Sequence, residues 1–405
     1  ASAGLLVAEL ETGEVIWSLN PEKPRNPASV MKLVTAFAAL DILGPGYRWA
    51  TEAYAVAPRG PGGSVDDLYL KGYGNPFWVN EEFSQFVADM DHLGTHSIAG
   101  DIVLDTSYYT LPDDDPEAFD GKGYRVYNVL PHPLTMNFNS VRFLLVPDKH
   151  SGQLTIRTQP EFSNLVVDNR VSLERRACRS ANIDLDMRVR ELADGETRVS
   201  LSGRFPSRCP QFELTRAVLS PEEQLVGAFV SLWRDRGGEV KGSWRHGQVP
   251  DDARLLHRQM SRPLGDLIRS TNKFSNNVMA RQIFLTLGAE AFGAPTDIDK
   301  SRLAVERALA GHGLAFAELD IENGAGLSRT ATIAPRSLLS LLQVAWKHRY
   351  GSDFFGSLPV PGVDGTLADH FPKGDYVGQA YVKTGTLDHV TAIAGLVQAL
   401  SGKRY

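Results

Sequence analysis

The chain has 405 residues, 42% of them hydrophobic and 22% charged, and at roughly 150 residues per domain this length accommodates two or three domains and a large buried core. Ordinary globular usage, with 37 Gly and 23 Pro, excludes a disordered or collagen-like chain. The formal charge of -6, from 42 Lys plus Arg against 48 Asp plus Glu, leaves no electrostatic footprint for a polyphosphate, so nucleic acid is not an expected ligand.

The chain opens on Ala1-Ser2-Ala3-Gly4 with no charged-then-apolar leader, the start expected of a mature exported protein. Residues 5–10 and 14–19 flank the turn signal Thr12-Gly13 and read as a hairpin. A helix is expected over 28–43, with Asn26 to cap it, Pro27 in its first turn and Gly44-Pro45-Gly46 to end it. Apolar on nearly every face, it should be buried. Lys32, Thr35 and Asp41 interrupt this densest apolar run, and no run reaches the ~18 residues of a membrane span.

From about residue 50 to 255 short strand-like runs, such as 67–71, 140–146, 152–158 and 197–201, alternate with polar turns. Helical spacing returns over 264–287, 300–311 and 335–346, and the chain closes on expected strands 376–386 and 389–400. There is no internal repeat, which excludes a solenoid. The simplest organisation is one α/β domain built from residues 1–55 and 256–405, interrupted by a β-rich insertion, 56–255, of two expected subdomains. Cys178 and Cys209 fit either one disulfide in an oxidising compartment or two buried thiols.

Ser29 and Lys32 form an S-x-x-K pair, and a spacing of three places both side chains on one helix face. A serine hydroxyl becomes a nucleophile when a base takes its proton, and a lysine serves once apolar surroundings and nearby positive charge depress its pKa. Lys32 sits among Val30, Met31, Leu33 and Val34. Ser270 and Lys273 repeat the spacing, and S-x-N occurs four times, including Ser270-Thr271-Asn272 and Ser275-Asn276-Asn277, so neither motif is specific alone. Lys383-Thr384-Gly385 occurs once, on an expected strand, followed by Thr386. There Lys supplies a fixed positive charge, Gly permits close approach, and the threonines offer hydroxyls to a carboxylate.

In order, S-x-x-K, S-x-N and K-T-G resemble the signature of penicillin-binding proteins and serine β-lactamases. The 246 residues from Ser29 to Ser275, against 108 from Ser275 to Lys383, exceed the β-lactamase pattern. They resemble the inserted domains of the low-molecular-mass class C penicillin-binding proteins, the D-alanyl-D-alanine carboxypeptidase/endopeptidase family of penicillin-binding protein 4, peptidase family S13. Gly72-Tyr73-Gly74-Asn75-Pro76, Met136-Asn137-Phe138-Asn139, Asn323-Gly324-Ala325-Gly326-Leu327-Ser328-Arg329 and Gly362-Val363-Asp364-Gly365-Thr366-Leu367 are similar as well. The resemblance selects Ser275 for the second motif, with Ser270 the runner-up.

It implies a transpeptidase-like fold, an antiparallel sheet flanked by helices. It also implies a serine DD-peptidase acting on the D-Ala-D-Ala stem peptides or D-Ala cross-links of peptidoglycan. Ser29 would be acylated and Lys32 would receive its proton. Ser275 would relay a proton to the leaving amine, and Asn277 would hold a substrate amide. Lys383 would help keep Lys32 neutral and, with Thr384, Gly385 and Thr386, meet the peptide carboxylate. The backbone N–H groups of Ser29 and Thr386 would form the oxyanion hole.

β-Lactams would acylate the same serine, and neither cofactor nor metal is implied. The expected location is the periplasm or cell envelope, with peripheral membrane association as a compatible arrangement. The rival readings are a β-lactamase and a catalytically silent wall-binding protein. The family's sheet has a further strand and a C-terminal helix beside the N-terminal hairpin. Lys403-Arg404-Tyr405 reads as the start of that strand, so a continuation past Tyr405 is expected.

Other features carry bland readings. His92 and His96 straddle Gly94 without an H-E-x-x-H pattern, and Asp113-Asp114-Asp115 lacks the alternation of a calcium loop. Gly72-x-Gly74 lacks the third glycine of a dinucleotide fingerprint, and G-x-S-x-G is absent. Phe77 and Trp78 are expected in a satellite core.

Overall fold

Two apolar cores organise the chain in the computed structural model, which describes residues 3–56, 61–112, 114–148, 151–193, 195–370, 374 and 377–405. Among these residues lie eight α-helices: α1 (Lys32–Leu43), α2 (Asn80–His92), α3 (Pro221–Asp235), α4 (Leu264–Lys273), α5 (Asn277–Phe292), α6 (Ile298–Gly311), α7 (Pro335–Lys347) and α8 (Gly351–Gly356). The first core gathers α1 and residues of α4 to α8, with Leu10, Trp49 and Leu396 from outside them. Every residue from Leu33 to Leu40 of α1 is at most 2% exposed, as its all-round apolar pattern requires. A 3-10 turn, Ala28–Met31, precedes it, and Asn26 Oδ1 accepts the Ala28 N–H at 2.8 Å.

The spacing over 264–287 reads as one helix, yet the structure breaks it at residues 274–276 into α4 and α5. Asn276 is the reason at sequence level: its side chain caps α5 by accepting the Met279 N–H at 3.0 Å, a competition with the helical ladder that short polar residues often win. The break carries Ser275, one of the expected site residues.

The second core lies within residues 53–233. The strands Ala50–Ala55 and Arg254–Met260 pair antiparallel at the edge of a five-stranded sheet completed by Leu68–Gly72, Ile102–Asp105 and Trp244–His246. Two three-stranded sheets follow, centred on Val141–Pro147 and Thr197–Pro206. This region is not purely β, because α2 and α3 pack into it. Both helices have sequence signals: Phe83, Phe86, Val87 and Met90 follow helical spacing in α2. In α3, Pro221 and a Ser220/Glu223 capping box open the run Leu225, Val226, Phe229, Val230 and Trp233.

The terminal strands form two antiparallel ladders of two strands each, Leu5–Ala8 with Val15–Leu19 and Ala380–Leu387 with Val390–Val397, where the resemblance implies one sheet. Residues 403–405 touch both ladders: Leu10 N–H donates to Arg404 O at 2.8 Å, and Tyr405 and Val397 exchange bonds at 2.8 Å. Tyr376 of the expected strand and Asp113 of the aspartate run lie outside the described residues. No described helix is long and apolar enough to cross a membrane.

Cys178 and Cys209 are joined as a disulfide across 31 residues. Closing a loop of that length stabilises by about 3–4 kcal/mol in the chain-entropy account. Reduction should therefore lower the unfolding free energy of the second core by roughly that amount, read as a fall in denaturant midpoint; an unchanged midpoint would contradict it.

Candidate active site

Ser29 lies in the 3-10 turn that leads into α1, directly after Ala28, whose φ of +46° is strained for a residue with a side chain. One turn later Lys32 begins α1 and is 1% exposed. Its Nζ meets three oxygens: Ser29 Oγ at 3.0 Å, Asn277 Oδ1 at 2.7 Å and Ala325 O at 2.7 Å. The last two can only accept, whereas a hydroxyl can donate. A neutral amine satisfies this set completely, giving its two hydrogens to Asn277 and Ala325 and turning its lone pair toward the Ser29 proton.

The electrostatics favour that neutral form. Burial, then the positive charges of Lys383 and Arg281, hold Lys32 well below the ordinary lysine value. The sequence does not single out Arg281. It sits one turn beyond Asn277 on α5, 8% exposed, with Nη1 donating to Asn128 O and Val129 O. Asn277 Nδ2 donates to the neighbouring Tyr127 O at 3.1 Å, which turns Oδ1 toward Lys32. A backbone carbonyl of the insertion thus orients a side chain of α5. The carbonyl of Ala325 is equally invisible to sequence reasoning, although the Asn-Gly-Ala-Gly run around it is one of the family-like stretches.

Ser275 Oγ accepts from Lys383 Nζ at 2.9 Å, and Lys383 also donates to Thr384 O at 2.7 Å. Lys383 is fully buried, which brings its pKa down to about 8. The five residues therefore form two contacting groups, Ser29 with Lys32 and Asn277, and Ser275 with Lys383. Alternation on the strand Ala380–Leu387 sets Lys383 and Gly385 on one face and Thr384 and Thr386 on the other; Thr386 is exposed. Gly385 is required by contact: a Cβ there would lie 2.5 Å from Pro27 O and 2.7 Å from Ser29 N. Only a bare backbone lets this strand press against the serine's turn.

The alternatives separate cleanly. Ser270 is half-buried on α4 and bonds its own helix at Asp266 O. Trp78 is buried in the second core, with Phe77 partly buried against the first. His96 pairs with Asp91 at 2.7 Å. Asp41, His312 and His348 do converge, with both Nε2 atoms on Asp41 Oδ1 at 3.0 and 3.2 Å. His348 Nδ1 accepts the Tyr350 N–H, so the proton of a neutral ring sits on Nε2 and points at Asp41, the tautomer of a hydrogen-bonded clamp rather than of a metal ligand.

The model of the D-Ala-D-Ala carboxypeptidase 3 (S13) family matches residues 1–405. A D-alanyl-D-alanine carboxypeptidase of Actinomadura sp. (strain R39) is 29% identical over 420 residues, covering 100% of this chain and 76% of that protein. The crystal structure of penicillin-binding protein 4 from Haemophilus influenzae superposes with a TM-score of 0.82 at 23% identity, over 99% of this chain and 88% of that one. The same protein complexed with a β-lactam gives a TM-score of 0.78 at 24% identity, over 99% and 87%. These two likenesses establish a shared fold.

Two outcomes follow from the geometry. Gly385→Ala should slow reaction at Ser29 by about 100-fold, the scale of an ångström's misplacement in a reacting site, and lower stability by about 1–3 kcal/mol as the strand and the serine's turn are forced apart; an unaltered rate would refute the close-approach argument. Reaction at Ser29 should rise from acid pH as Lys32 loses its proton, and fall above pH about 8 as Lys383 loses its charge. Lys383→Met removes a cation that disfavours protonated Lys32, so the acid limb should move to higher pH; a shift to lower pH would reverse the assignment.

Proposed function

Starting from a chain that belongs to the S13 family of D-Ala-D-Ala carboxypeptidases, we propose that it is a serine DD-peptidase that cleaves D-Ala-D-Ala stem peptides of peptidoglycan through an acyl-enzyme on Ser29. The observation that carries the reading is the Lys32 amine, buried 3.0 Å from Ser29 Oγ with its two remaining hydrogen-bonding directions taken by Asn277 Oδ1 and Ala325 O. A wall-binding module has no need of a desolvated base beside a serine.

In this mechanism Lys32 takes the Ser29 proton as Oγ attacks the carbonyl of the penultimate D-Ala. The backbone N–H groups of Ser29 and Thr386 receive the oxyanion. Ser275, held by Lys383, relays a proton to the departing amine, and Asn277 holds a substrate amide. Thr384 and Thr386 meet the terminal carboxylate from their face of the strand, and Lys383, on the other face, adds its positive charge. Water then hydrolyses the acyl-enzyme. A β-lactam places its strained amide where the scissile bond would lie and acylates the same oxygen.

A cavity of about 800 Å³ runs from Asn128 and Arg281 past Phe119 and Arg329, with Asp114 and Glu322 also in its wall. None of Ser29, Lys32, Ser275, Asn277 and Lys383 lines it, so it is not assigned to the scissile end of the substrate. The catalytic unit we infer is discontinuous, about residues 1–49 with 261–405, narrower than the sequence-expected 1–55 with 256–405 because the strands Ala50–Ala55 and Arg254–Met260 belong to the insertion's sheet. An exported, cell-envelope location follows from the substrate.

Fluorescent penicillin should label the protein at one per chain, and Ser29→Ala should abolish the label; persistent labelling of that variant would move the nucleophile elsewhere. A long-lived adduct is expected, and rapid penicillin turnover would make the protein a β-lactamase. Mass spectrometry of wall fragments should then register loss of one alanine from pentapeptides, or conversion of cross-linked dimers to monomers if cross-links are cut.

A further inference from the structure

We propose that Lys273 and Asp364, outside all three motifs, form the positioning device that holds Ser275 against Lys383. The proposal rests on the reading of Ser275 as the proton relay. Ser275 adopts φ +54°, a left-handed conformation that a serine keeps only when its surroundings over-determine it. Its own turn is closed on one side, by the Asn276 N–H on Thr271 O at 3.0 Å, and is weak at Ser275 itself. The Ser275 N–H reaches Asn272 O at a long 3.3 Å, and the neighbouring Phe274 is 70% exposed.

The restraint comes from the two residues before Phe274. Asn272 Nδ2 donates to Ser357 Oγ at 2.8 Å. Lys273, 5% exposed, donates to Leu358 O and to Asp364 Oδ1 at 2.7 Å. Asp364 is itself held by the Val360 N–H at 2.9 Å. Gly365, at φ +63°, lies so close to Lys273 that a Cβ would sit 2.6 Å from Lys273 O. Residues 357–365 therefore clasp the end of α4 immediately ahead of the turn.

The same segment grips the opposite partner. Pro359 O accepts the Val382 N–H at 3.0 Å, fixing the strand one residue before Lys383. One short loop thus sets both ends of the 2.9 Å contact between Ser275 and Lys383. Ser270-x-x-Lys273, which duplicates the catalytic spacing without catalytic geometry, acquires a function here: its serine is idle and its lysine is the clasp.

Neither Lys273 nor Asp364 bonds to Ser29, Lys32, Ser275, Asn277 or Lys383 directly; in this proposal the pair acts by setting the contact between Ser275 and Lys383, and a double-mutant cycle tests this. Asp364→Asn keeps the side chain's size and removes the charge opposite Lys273. With fluorescent penicillin, its acylation rate constant should fall at least 10-fold, while the affinity of the pre-covalent complex and the saturating label per chain stay unchanged. Asp364→Glu should recover part of the rate. In a Ser275→Ala background, Asp364→Asn should cause no further loss.

An equal fold-loss in both backgrounds, or a wild-type rate in Asp364→Asn, overturns the proposal. If Asp364→Asn does not fold, Lys273→Arg keeps the charge and alters the reach: a rate loss that disappears in the Ser275→Ala background supports the clasp, and an equal loss in both backgrounds or no loss at all overturns it. Absence of labelling in the unaltered protein would instead overturn the DD-peptidase reading.

Discussion

A lysine nitrogen buried among apolar side chains is the constraint on which the rest of this structure depends. Val30, Met31, Leu33 and Val34 around Lys32 are all inaccessible to solvent, and an ammonium placed there would forfeit its hydration with no counter-ion in contact. The fold answers by removing the charge. Two acceptors take the amine's hydrogens, a hydroxyl faces its lone pair, and two further cations, Lys383 and Arg281, bias it toward the neutral state. A group that is costly to bury as an acid is thereby ready to act as a base.

Holding that arrangement requires backbone conformations the residues would not choose. Ala28 and Ser275 both have positive φ, and each sits at a point where a reactive side chain must be aimed across a helix end. Such strain persists where neighbouring structure leaves no relaxed alternative. At Ala28 the constraint is the strand Ala380–Leu387 pressed against the turn at Gly385. At Ser275 it is the loop 357–365 and its ion pair with Lys273. Precision at the site is therefore drawn from packing between elements rather than from local propensity.

The insertion takes part in this. Its segment around residues 126–129 supplies backbone carbonyls to Asn277 and Arg281, two residues on one face of α5. Without Tyr127 O, the Asn277 amide would have no fixed orientation, and Oδ1 would not be committed to Lys32. The long insertion thus reaches the chemistry through the 3-10 turn Val126–Asn128 and the Val129 that follows it.

What can be read from the sequence is local. Ser29 and Lys32 share a helix face because of their spacing alone, the all-round apolar pattern of residues 28–43 announces burial, and Lys383-Thr384-Gly385 stands on a strand by its pattern. Asn277 is legible only through the order of the three motifs. The tertiary structure decided the rest: the break between α4 and α5, the Ala325 carbonyl 293 residues from Lys32, Arg281, and the partnership of Lys273 with Asp364. These share one physical reason. A backbone carbonyl looks the same in every residue, a positive φ at serine or alanine leaves no mark in composition, and a buried cation declares its purpose only when its distant partners are in place.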